Sequence, residues 1–149
     1  MKIIKTVLTA AALLASGGAF AALNANAVHL ALDSLLVATS KMSVVNAINA
    51  TGKPPSTNEE AHLGAPNAMT TTEISGIVVS NGGVINIYLA PVTGTDHGLI
   101  QLSPQVMKDQ KGGNTLGFVC TSPNIPDIAQ VEPSCTYHPA QPAAKPGKK

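Results

Sequence analysis

The chain has no arginine and no tryptophan, and only 11% of its 149 residues are charged. Phosphate binding depends on clustered positive charge, so this composition argues against a nucleic-acid partner. The one basic cluster is Lys145, Lys148 and Lys149 at the C-terminus. Aromatic residues amount to 3%, and the surface must be rich in Ser, Thr, Asn and Gln instead of charge. There is no Gly-rich phosphate loop and no Cys-x-x-Cys pair. His29, His62, His97 and His138 are scattered, and no nucleophile stands with a base and an orienting acid. Asp96-His97 is the best catalytic-looking pair, but neighbours on an extended turn point apart, so it reads as a solvated turn. Glu59-Glu60 reads as loop surface. The expectation is a protein that is not an enzyme, with no catalytic residues, no cofactor and no metal.

What is present begins with an export pattern. Lys2 and Lys5 precede an apolar run from Val7 to Ala15, and Ala19-Phe20-Ala21 puts small residues at the cleavage-determining positions. This is the layout of a secretory signal, with cleavage expected after Ala21 and later options at Ala22 or Ala27. An uncleaved membrane anchor is the alternative. The run is too short to span a bilayer, and Gly17-Gly18 interrupts it, so no stable span is expected after cleavage. The remaining chain would carry seven Lys against eight acids, a net −1. Hydrophobic residues make up 44%, enough for a packed core and too many for a disordered chain.

Two cysteines, Cys120 and Cys135, fall in that remaining part. Export favours a disulfide between them. It would close a loop of 14 residues, Thr121 to Ser134, which contributes about 3 kcal/mol in the chain-entropy account. The other reading, a Cys/His metal site using His97 or His138, fits no common zinc spacing.

Asn24 to Thr51 is the long helical candidate. Asn24 or Asn26 caps its start, Gly52 ends it, and Pro54-Pro55 block continuation. At 100° per residue its apolar side chains form two lines. Val28, Leu32, Leu35 and Met42 make one; Leu30, Val37, Val44 and Ile48 make the other. A helix on one sheet needs a single stripe, so the second line wants a cover: the chain's own loop, or a protein partner. Half-exposed small side chains are the plain alternative. Lys53 to Thr72 is a long polar connection that Leu63, Ala65 and Met69 could anchor on the helix.

Ile74–Val79 and Val84–Leu89 flank Ser80-Asn81-Gly82-Gly83, a hairpin whose Asn-Gly turn calls for positive φ. Ile85, Ile87 and Leu89 form a core face, with Asn86 and Tyr88 on a wet face. Leu99–Ser103 is a third strand, stopped by Pro104, and Leu116–Cys120 a fourth. Ser122 to Ser134 reads as a loop and Pro139 to Lys149 as a disordered tail. The expected fold is α+β: one N-terminal helix packed on a four-stranded antiparallel sheet, with a C-terminal disulfide-closed loop. The expected division is a signal peptide over 1–21, a head domain over 22–138 and a tail over 139–149.

This order of elements resembles the type IV pilin family. The resemblance rests on the hairpin from Ile77 to Ile87, Ile100-Gln-Leu-Ser-Pro104, Phe118-Val-Cys120, Pro133-Ser-Cys135 and the helix end Asn46 to Pro55. It covers about Ala27 to Tyr137, and it lies in the order of the pieces, none of which is specific alone. The N-terminus departs from the family. There is no Gly-Phe string with an early Glu, and no acid appears before Asp33. The resemblance implies a non-catalytic structural or adhesive subunit, or a pilus-associated binding protein. The departure implies a soluble accessory or regulator of a type IV pilus, type II secretion or competence system. The expected partners are pilins or pilus assembly components, met through Leu30, Val37, Val44 and Ile48. Host or surface contact would use the Thr121–Ser134 loop. The expected location is outside the cytoplasm: periplasmic, pilus-associated or extracellular.

Overall fold

Asn24 opens the first helix. Its side-chain oxygen accepts from the Ala27 amide at 3.2 Å, satisfying one of the donors a helix start leaves free. The same residue's backbone N–H donates to Thr93 O at 2.8 Å, tying the helix start to the connection after the second strand. In the computed structural model, which describes residues 22–140 apart from Asp109 and Lys111, α1 runs from Ala25 to Leu32. The signal-peptide expectation, residues 1–21, lies outside the described residues, as does the tail expectation beyond Ala140.

The helix does not continue unbroken to Thr51. Ser34 is extended (φ −63, ψ 146), and its hydroxyl accepts from Val37 N at 3.3 Å to cap α2, Leu35–Thr51. Gly52 ends α2 in the left-handed region at φ 70. The expected single helix is therefore two, for a physical reason. In one straight helix Val28 and the pair Val37/Val44 would face nearly opposite sides, and a sheet covers only one side. The break at Asp33–Ser34 redirects α2, so Val28, Ala31, Val37 and Val44 all reach one core at 0% exposure.

Among the described residues the sheet has five strands in sequential order: β1 (Ile74–Ser80), β2 (Val84–Leu89), β3 (Leu99–Lys108), β4 (Asn114–Ser122) and β5 (Cys135–Tyr137). The first four form the expected antiparallel meander. The fifth pairs parallel with β4, so the sheet is mixed, not four-stranded and antiparallel throughout. A parallel partner needs a crossover, and the expected loop supplies one in the short helix α3 (Ile128–Val131). Three residues are too few for strand alternation to register in sequence.

Two other expectations shift. Ser80 pairs with Val84, so the hairpin turn holds three residues, and positive φ falls on Gly82 and Gly83, not on Asn81. Gly83 has a second reason to lack a side chain: a Cβ there would lie 3.1 Å from Val44 Cγ1 and 3.2 Å from Pro104 Cγ. Pro104 does not stop β3. β2 stops pairing with β3 at Leu102, leaving an open edge on that side where a missing N–H breaks no ladder bond.

Ile85, Ile87 and Leu89 take the core face as expected, and Tyr88 is exposed. Asn86 is buried despite its outward position, because its amide is used up. It donates to Val78 O at 3.1 Å and to Ser80 Oγ at 2.9 Å, and it accepts from Gln101 Nε2 at 2.8 Å. The long connection after α2 is held by Met69 and Ala61, both buried, with Leu63 packed against the core; Ala65 is exposed. Asn58, also buried, ties this connection to the free edge of β1. It accepts from Val79 N at 2.6 Å and donates to Ile77 O at 2.9 Å.

Candidate functional site

The four residues expected to meet a partner separate once the chain folds. Val37 and Val44 are fully buried, and Ile48 packs against the core, so the chain's own sheet is their cover. Only Leu30 stays exposed, at 61%. The other line divides as well: Val28 is buried and Leu32 half-buried, whereas Leu35 (82%) and Met42 (65%) stand in solvent. The exposed apolar set is therefore Leu30, Leu35 and Met42, each on the side of its helix away from the core. The helix break produces this sorting, and periodicity read through an unbroken helix could not find it.

The outer side of the helices is short of charge. Between Ala25 and Thr51 the acidic and basic side chains are His29, Asp33 and Lys41, and His29 turns toward Glu132. Beside Leu35 the surface dips into an open groove of about 530 Å³ between α2 and the long connection, lined by Leu36, Thr39, Ser43, Leu63 and Met69 among others. By length and composition the stretch Ala25–Thr51 is also sufficient to cross a membrane. In the fold it lies on the sheet.

The second expected site, the Thr121–Ser134 loop, is a packed crossover. Cys120 and Cys135 are disulfide-bonded with their Cα atoms 4.5 Å apart, opposite each other in the β4–β5 register. Ile125 and Ile128 sink into the core. Asn124 donates to His97 O at 2.8 Å and accepts from Leu99 N at 2.9 Å, so the first part of the loop is fastened to the chain leading into β3. Asn124, Pro126, Asp127, Ala129 and Gln130 remain outside.

Charged groups gather where the helix break approaches the disulfide. A cavity of about 210 Å³ there is lined by Asp33, Lys41, Glu132 and both cysteines. Glu132 accepts from Ser134 Oγ at 2.5 Å and Ser134 N at 3.2 Å, and it lies 3.3 Å from His29 Nδ1. The Ser134 hydroxyl first, and His29 less strongly, hold the Glu132 carboxyl below its usual range. With the thiols joined, this cavity offers charge and hydrogen bonds but no sulfur nucleophile.

Asp96 and His97 do meet, at 3.4 Å, because His97 takes φ 61 and turns its ring back. Both side chains stand about nine-tenths in solvent. Among the described residues no three His, Cys, Asp or Glu side chains gather in a metal-binding group. Compared with models of known protein families and with curated proteins, the chain matches none.

Proposed function

We propose that this protein is a non-catalytic, pilin-like binding subunit that docks on the apolar helix of a pilin or pilus assembly component. The observation that carries the reading is the exposed set Leu30, Leu35 and Met42 on a helical layer nearly free of charge. An uncharged apolar strip with a groove beside it suits another helix with an apolar face, since a charged partner would lose its hydration without gaining a counter-charge. The helix laid over a sheet and the disulfide-closed C-terminal segment fit the pilin-like pattern read in the sequence. The disulfide is also consistent with export. The soluble-accessory form of the reading has the stronger support, because Val28, Val37 and Val44 bind the helical layer to the chain's own sheet.

The test is a pull-down from cells that assemble the pilus. The double variant Leu35→Asp/Met42→Asp should keep the wild-type circular dichroism and melting temperature, since both side chains are exposed, and should lose pilin recovery by about tenfold or more. Unchanged recovery of pilins, or none with the wild-type protein, would refute the reading. Aspartates at Val37 or Val44 cannot serve for this test. Each would bury a charge without a partner and destabilise the fold itself.

A further inference from the structure

The β3–β4 pair outruns the rest of the sheet. β3 pairs with β2 only over Leu99–Leu102, and β4 with β5 only over Cys120–Ser122, while the β3–β4 ladder continues to Lys108 and Asn114. The projecting ribbon keeps the core's alternation. Leu116 and Phe118 share a face with Cys120 and sit opposite Val106 and Pro104. Phe118 still packs on the core, but Val106, beyond it, is 70% exposed.

Hydrogen bonds fix which way each backbone group points. Leu99 N–H donates to Asn124 Oδ1 at 2.9 Å and Leu99 C=O accepts from Ser122 Oγ at 2.7 Å, so both face β4. By alternation Gln101, Ser103, Gln105 and Met107 face β4 too, and their partners Thr121, Val119, Gly117 and Thr115 face back. Leu116 and Phe118 therefore aim N–H and C=O at the outer edge of β4. Ser122 shares their parity, and its C=O accepts from His138 N at 2.9 Å on that edge. Among the described residues, nothing meets the outward groups of Leu116 and Phe118.

The other edges are guarded in recognisable ways. Asn58 hydrogen-bonds along β1, and the backbone of Pro66 lies against Gly76. The open side of β3 carries Pro104, whose missing N–H points there, and ends in Lys108. β5 is only three residues long. The stretch Asn114–Phe118 has no proline and no charge and, among the described residues, no strand pairs with its outer edge.

We infer that Asn114–Phe118 pairs antiparallel with the same segment of a second copy, about a two-fold axis at Leu116. A two-fold sets Leu116 against Leu116 and Asn114 against Phe118 of the other copy. A charge at the axis position would face its own copy, and Leu116 there, like the rest of β4, carries none. It joins the two sheets into one and brings the Val106–Leu116 patches side by side, covering apolar surface that the monomer leaves wet. This surface is separate from the helical strip, so the two proposals stand or fall independently.

Sedimentation equilibrium of the purified, disulfide-bonded protein, from low micromolar to near-millimolar concentration, tests this. A monomer–dimer equilibrium is expected. Leu116→Pro removes an outward N–H without touching the β3 ladder and should raise the dimer dissociation constant by at least about tenfold. Leu116→Lys, which opposes two ammonium groups, should do the same if the proline variant folds poorly. Leu35→Asp should leave the dimer unchanged. A monomer at every concentration overturns the inference, including the case in which the edge takes a strand of some other protein. A dimer that survives both Leu116 substitutions, or one abolished by Leu35→Asp, overturns it too.

Discussion

Asn58 shows how much one side chain can settle. It sits in a connection without regular structure, and its amide does the work of a missing strand: one oxygen takes Val79 N–H, and one nitrogen serves Ile77 C=O and, at 2.9 Å, Gly64 C=O. Replacing it with alanine strands buried groups on β1 that water cannot reach. Asn58→Ala should cost about 3 kcal/mol, read from urea denaturation midpoints, with Asn67→Ala, an exposed neighbour in the same connection, close to neutral. In sequence this residue is one polar letter in a polar stretch. Its role depends on β1 lying 19 residues downstream, a distance no local pattern spans. Glycines were more legible, because Gly52 and Gly82 answer to backbone conformation alone. Gly83 answers also to Val44, on a different element.

At the scale of elements, regular local signals carried well. The Asn24 cap, the Gly52 stop, the ends of β2 and its core face of Ile85, Ile87 and Leu89 were all readable from spacing and residue type. The break between α1 and α2 was not, because neither proline nor glycine marks Asp33-Ser34. The two apolar lines were the signal: α1 buries the first through Val28, and α2 buries the second through Val37 and Val44. The cap holds that arrangement, so Ser34→Ala should cost about 1 kcal/mol in a thermal or urea melt, with Ser34→Asn or Ser34→Asp recovering most of it. Pro104 misled for a related reason. A proline ends a strand only where its nitrogen faces a partner, and which way it faces depends on the neighbours of β3. The fifth strand lay hidden because three residues held by parallel pairing and a disulfide need no strong strand propensity.

Across the whole molecule, the disulfide joins the last strand to the meander, and the α+β class with this pairing was foreseen from composition, order and cysteine count. What the molecule does with its exposed surface was not legible to the same degree, since Leu30, Leu35 and Met42 are defined only once the core has claimed their neighbours. The staple should matter globally. Cys120→Ser/Cys135→Ser removes a cross-link between residues 15 apart and should lower stability by about 3 kcal/mol against the oxidised protein, measured by denaturant titration. A loss below about 1 kcal/mol would mean that Ile125 and Ile128 hold the crossover unaided.

The bond between Cys120 and Cys135 also decides where tension goes. A pull on the chain beyond Tyr137 reaches Cys135 and passes through sulfur into β4, whose ladder with β3 runs for eight paired positions. The crossover from Thr121 to Ser134 carries none of that load while the bond is intact. Reduction would put those residues in series and let out roughly 50 Å of slack. An oxidised molecule tethered by its C-terminal end is thus a stiff link, and a reduced one is a link with give.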